Sequence, residues 1–128
     1  MPLLPALVTA LALALYLGTV IAVMRARGHY GIAAPATSGH PVFERLFRIQ
    51  QNTLEQLVLF LPALWLYSLF VSSLWGAAIG LVWLLARLAY AVGYARDPAQ
   101  RGPGMIVSFF AAGVLLAGGL VGVLAALR

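Results

Sequence analysis

Cysteine and lysine are both absent from this sequence, and only three acidic residues are present, Glu44, Glu55 and Asp97. Without cysteine there can be no disulfide, no thiolate metal site and no protein thiol nucleophile. A thiol that takes part in any chemistry must therefore arrive with a ligand. Only 9% of residues are charged, too few to cover the surface of a water-soluble domain of 128 residues. What is abundant is apolar surface: 63% of residues are hydrophobic and the mean hydropathy is +0.99. Such runs are expected to meet lipid rather than a private core. The net charge of +5 rests on eight arginines. Most of these adjoin apolar runs, which points to membrane topology and binding of a small anion rather than to nucleic acid.

The apolar runs predict an all-α integral membrane protein, a bundle of four transmembrane helices within a single domain covering residues 1–128. The first span, Leu3 to Met24, holds no ionisable side chain. It would extend roughly 33 Å, enough to cross the hydrocarbon core. No arginine precedes it and it exceeds the h-region of a signal peptide, so it reads as a retained span. The fourth span, Met105 to Leu127, is equally clean, with a Gly118–Gly122 pair suited to ordinary close packing. The second apolar run, Leu57 to Val71, is too short to cross alone. It needs about five more residues on its N-terminal side, which draws Asn52 and Glu55 to membrane depth. The third, Leu74 to Tyr94, contains Arg87. Gly28 to Pro41 reads as a loop, Ser72–Ser73 as a tight turn and Asp97 to Gly104 as a short connection. Arginines flank the first and third connections and avoid the second, which places both arginine-rich connections in the cytoplasm and both termini opposite.

At 100° per residue, Arg45, Arg48, Asn52 and Glu55 share an arc of about 80° on the second helix. Trp83, Arg87, Tyr90 and Tyr94 share about 60° on the third. Ionisable groups at membrane depth are costly and should face a bundle interior or a wet cleft. The two stripes therefore predict an arginine-rich, tyrosine-edged pocket on the cytoplasmic side, suited to a ligand bearing carboxylates. A plainer reading stays open, in which Glu55 neutralises an arginine and the stripes hold helices together. Tyr90 and Tyr94 also suit an interfacial aromatic belt. His29 and His40 have no partner at metal-ligand spacing and read as loop residues. Gly93 reads as a close-packing position.

The run GHPVFERLFRIQQNTLEQ from Gly39 resembles the signature of the family of membrane-associated proteins in eicosanoid and glutathione metabolism (MAPEG). Gly39, Phe43, Glu44, Arg45, Leu46, Phe47, Gln50 and Asn52 fit that signature, whereas Ile49 and Thr53 depart from it. The third-span run ARLAYAVGYARDPAQR is similar to that of the family's glutathione transferases. The resemblance implies a homotrimer that binds reduced glutathione as co-substrate between subunits. It implies that Arg48, Asn52, Glu55, Tyr90 and Tyr94 grip the tripeptide from one subunit, with Gln56 at a further contact position where relatives carry tyrosine. Arg27 and Gln50 would reach it from the neighbouring subunit, and Arg101 would activate the thiol. The second substrate would be a hydrophobic or lipid electrophile entering from the membrane.

Gly28 stands where some members carry a second arginine, and Pro98, Gly102 and Pro103 alter the loop around Arg101. These departures turn the expectation toward broad conjugation, with glutathione-dependent peroxide reduction beside it. The arginine-only composition suggests a bacterial inner membrane. Two alternatives stand beside this reading, a non-catalytic lipid-binding member of the family and a small four-span exporter. An exporter would want a proton-coupling carboxylate in the first span, which has none.

Overall fold

The computed structural model describes residues 2–128. It consists of α1 (Leu3–Tyr30), α2 (Pro41–Phe70), α3 (Ser73–Arg96) and α4 (Gly102–Ala126), with a 3₁₀ turn, Pro98–Arg101, before α4. All four helices are long and apolar enough to cross a membrane. At the α-helical rise they extend roughly 36–45 Å, so each outruns the ~30 Å hydrocarbon core and places its polar ends among headgroups.

The ends of α1 and α2 differ most from the sequence expectation. α1 does not stop at Met24 where apolarity stops. It continues through Arg25, Arg27 and Gly28 to Tyr30 and ends where Gly31 adopts the left-handed conformation (φ 66°). There the Gly31 and Ile32 N–H groups both bond back to the Arg27 carbonyl. Glycine supplies that conformation without a Cβ clash, so Gly31 rather than the lipid boundary sets the end. α2 begins about four turns before the apolar run at Leu57. His40 is extended and its Nδ1 accepts from the Val42 N–H at 3.1 Å, while Pro41 occupies the first helical turn, where its missing N–H costs nothing. His40 is thus a helix cap rather than a spare loop residue, and Tyr30 stacks on its ring at 3.9 Å. The loop contracts from Gly28–Pro41 to residues 31–40.

The turn between α2 and α3 is as short as expected, whereas α4 starts at Gly102, three residues before the expected Met105, so the last connection shrinks to residues 97–101. Ser72 accepts from the Trp75 N–H to start α3, and Asp97 accepts from the Ala99 N–H to start the 3₁₀ turn. α2 runs through Pro62 without interruption. The up-and-down order brings Arg25, Arg27, Arg45, Arg48, Arg96 and Arg101 to one end of the bundle.

α1 and α4 each pack on both α2 and α3. The core lies where Phe60 of α2 stacks on Trp83 of α3, with ring centroids 3.9 Å apart and planes 3° from parallel. Leu64, Ala112 and Leu115 close around this pair. Trp65 Nε1 donates to Thr9 Oγ1 at 3.0 Å and ties α2 to α1. The outer surface is the apolar one: Val58 is 71% exposed, Phe110 64% and Val121 66%. Water would not tolerate so much contiguous apolar surface, whereas lipid or neighbouring copies would cover it. The chain is a multi-pass membrane protein.

Candidate functional site

A cleft of about 240 Å³ opens at the arginine-bearing end between α2, α3 and the start of α4. α2 contributes Arg48, Gln51, Asn52 and Glu55, and α3 contributes Tyr90 and Tyr94. Arg101 comes from the 3₁₀ turn and Met105 from the first turn of α4. Six of the residues singled out from the sequence, Arg48, Asn52, Glu55, Tyr90, Tyr94 and Arg101, therefore share one cavity.

The tyrosines form its inner wall. Both are buried, and their rings meet edge to face with centroids 5.7 Å apart. Below them Arg87 is fully buried, its guanidinium carbon 4.2 Å from the Tyr90 ring centroid. Arg87 donates to Thr53 Oγ1 at 3.0 Å, while its Nε and second terminal nitrogen have no partner among the described residues. Above them the exposed Arg101 holds its guanidinium carbon 5.9 Å from the Tyr94 ring centroid. The Asn52 Oδ1 is buried without a partner among the described residues, although the side chain lines the cleft. A buried acceptor left unpaired costs about 1–3 kcal/mol, so a donor arriving in the cleft would be favoured.

The approach of α4 is set by Gly104. A Cβ there would lie 2.5 Å from the Ala86 carbonyl oxygen and 2.8 Å from the Tyr90 nitrogen. Only glycine permits this contact, and it brings Arg101 and Met105 over the tyrosine wall. Gly93 is likewise tight, a Cβ there meeting the Gln100 carbonyl oxygen at 3.2 Å, in keeping with its reading as a packing position.

The stripes themselves need correction. Arg45 does not line the cleft, and Gln51 does. Gln51 falls about 40° beyond the edge of the arc drawn from the sequence. It lies three residues after Arg48 and four before Glu55, a spacing that marks the same helix face. Trp83 and Arg87 also leave the pocket. They sit deeper, Trp83 against Phe60 and Arg87 beneath Tyr90, so the α3 stripe divides by depth into a core half and a cleft half. Met105 carried no sequence signal, being one apolar residue within an apolar span.

Three expected contacts lie outside this chain's own cleft. Arg27 donates to the Ala36 carbonyl at 2.7 Å and covers the Phe43 ring at 4.9 Å. Gln50 projects from α2 about 160° from Arg48. Gln56 turns inward and accepts from Trp83 Nε1 at 3.5 Å, so it serves the core rather than the cavity. A second cavity of about 440 Å³ adjoins the cleft through the shared residues Arg48, Gln51 and Glu55 and is completed by Thr37, Ser38, Glu44 and Phe47. Glu44 is partly engaged, its Oε2 accepting from the Gly39 N–H at 3.2 Å.

Two guanidinium groups, one carboxylate and two phenols around a small cleft suit a ligand with carboxylates and an ammonium group. Arg101 offers a fixed positive charge near whatever atom lies over Tyr94.

Residues 5–121 match the MAPEG family. An uncharacterized protein of Synechocystis sp. is 47% identical over 97% of this chain and 90% of its own length. Leukotriene C4 synthase of Bos taurus is 41% identical over 80% of this chain and 69% of its own length. Microsomal glutathione S-transferase 2 of Bos taurus is 35% identical over 78% of this chain and 68% of its own length.

Proposed function

The chain belongs to the MAPEG family, and from that premise we propose that it is a membrane-bound glutathione transferase acting on hydrophobic electrophiles. The observation that carries this reading is the convergence of Arg48, Asn52, Glu55, Tyr90, Tyr94 and Arg101 on one cleft at the arginine-bearing end. Arg48 pairs with a carboxylate of reduced glutathione, Glu55 with its ammonium, and the Asn52 Oδ1 takes a donor from the tripeptide. These contacts fix the ends of the ligand and leave its sulfur near Arg101. A cysteine-type thiol has a reference pKa of ~8.5, so little is thiolate at neutral pH. The Arg101 guanidinium favours the anion, which is the nucleophile.

In the transfer, the thiol proton leaves to solvent and a sulfur lone pair forms the carbon–sulfur bond. The electron pair of the broken bond departs with the leaving atom, or with oxygen when an epoxide opens. With a hydroperoxide, the thiolate attacks the terminal oxygen and releases the alcohol. A second glutathione then converts the sulfenic acid to the disulfide with loss of water. The electrophile reaches the sulfur sideways from the membrane.

We further propose a homotrimer of single four-helix domains in a bacterial inner membrane, with the cleft facing the cytoplasm. Each cleft is then completed by Arg27 and Gln50 of a neighbour. Neither residue lines its own chain's cleft, which is compatible with a role in a neighbour's. The test is an ultraviolet difference spectrum of the purified protein on addition of glutathione at neutral pH. A thiolate band that disappears in Arg101→Ala is expected. Glutathione binding without a thiolate band would instead favour the non-catalytic lipid-binding alternative.

A further inference from the structure

On a different face of the bundle, a groove of about 540 Å³ runs between α1 and α3. Gly18 and Ala22 of α1 and Ala91 and Ala95 of α3 form its walls, and Leu46 and Ile49 of α2 form its floor. It shares no residue with the tyrosine-walled cleft. Its polar side chains are Thr19 and Arg96, and the Thr19 hydroxyl already donates to the Tyr16 carbonyl at 2.6 Å. The trough is therefore apolar along its length, with one cation at its end. A second cavity of about 580 Å³ continues from it through the shared residues Ala22 and Leu46, and is lined by Arg25 and His29. No carboxylate lines either cavity among the described residues.

Along α1 the trough reaches from Ala14 to Ala22, which is about 12 Å of helix. Half of a ~30 Å hydrocarbon core is about 15 Å, so the trough matches the depth of one leaflet. An apolar channel one leaflet deep, ending at two exposed arginines, has the shape and charge of an anionic amphiphile.

We propose that this groove seats an acyl chain of an anionic phospholipid, with the phosphate held by Arg96 and Arg25. A zwitterionic headgroup would bring its ammonium to a mouth that offers cations and no carboxylate. The neighbouring copy proposed above meets the tyrosine-walled cleft through Arg27 and Gln50, neither of which lines this groove or its continuation, so the groove is left to lipid.

The experiment uses the full chain reconstituted into nanodiscs of mixed phosphatidylcholine and phosphatidylglycerol. Retained lipid is read by native mass spectrometry after gentle extraction. Wild type should retain phosphatidylglycerol in preference to phosphatidylcholine. Arg25→Gln and Arg96→Gln should each lower that preference about fivefold, as for one arginine at an anionic surface. Arg128→Gln, at the opposite end, should leave it unchanged. A Cβ at Gly18 meets nothing within 4 Å, so Gly18→Leu fits α1 and fills the trough. It should abolish retention of both lipids while preserving the oligomeric state. Equal retention of the two lipids by wild type, or unchanged retention in Gly18→Leu, would overturn the proposal. A Gly18→Leu variant that changes the oligomeric state would also overturn it, by assigning the groove to contact between copies.

Discussion

Replacing Gly104 with alanine separates the two halves of the cleft without removing a ligand-facing side chain. The new methyl group would stand 2.5 Å from the Ala86 carbonyl oxygen and 2.8 Å from the Tyr90 nitrogen. Both are backbone atoms of a packed helix, so neither can swing aside. Ordinary contact begins near 3.4 Å, and α4 must therefore move off α3 by nearly an ångström. Overpacking of this kind costs about 1–3 kcal/mol of stability. The displacement is passed to Arg101, three residues earlier, whereas Arg48, Asn52 and Glu55 stay in place on α2. A misplacement of about 1 Å in a reacting group can lower turnover about 10²-fold. Gly104→Ala should therefore keep near-normal glutathione affinity and lose about two orders of magnitude in kcat, measured with a generic aryl halide at saturating glutathione. Gly113→Ala is the control on the same helix, because its Cβ meets nothing within 4 Å. It should gain about 0.5–1 kcal/mol from the helical backbone and keep full activity. A folded Gly104→Ala protein with wild-type kcat would refute the reasoning, since the approach of α4 would then not locate the thiol's activator.

Arg101→Ala should bind glutathione and lose most of its conjugation rate at neutral pH. Without the cation the bound thiol returns toward ~8.5, so the variant's rate should climb as pH rises to that value while the wild-type profile stays flatter; superimposable pH–rate profiles would assign Arg101 to the membrane surface. Arg48→Ala, Asn52→Ala and Glu55→Ala should each weaken glutathione binding about ten- to a hundred-fold, the usual cost of a lost hydrogen bond to a charged group. Isothermal titration checks this, and normal affinity in all three would mean that the α2 stripe is structural. A reporter fused after Arg128 should be found outside the cytoplasm, and its recovery on the cytoplasmic side would invert the topology.

The sequence alone determined the class of the protein and named six of the eight residues that line its cleft. Three apolar runs of bilayer length, and a fourth that reaches it with about five more residues on its N-terminal side, require four spanning helices, because in lipid each backbone polar group must be satisfied within its own helix. Arginines at alternate connections require that their helix ends share one side of the bundle, since an up-and-down chain returns to the same side at every second turn. Periodicity likewise placed Arg48, Asn52 and Glu55 together, and Tyr90 with Tyr94, because 100° per residue fixes the angle between side chains on one helix.

The rotation of each helix about its own axis was decided only by tertiary packing. α2 presents its face with Gln51 rather than Arg45 toward the cleft, and the α3 stripe is cut by depth where Trp83 stacks on Phe60. A wheel drawn for one helix carries no information about its neighbours, so it cannot tell Arg87 under the floor from Tyr90 in the wall. Met105 and the placement of Arg101 depend on α4 approaching backbone to backbone at Gly104, a contact between segments distant in sequence. The helix ends followed the same logic. Apolarity marks where lipid ends, but Gly31, His40 and Pro41 mark where hydrogen bonding lets the helix stop or start, and that geometry set the true length of α1 and α2.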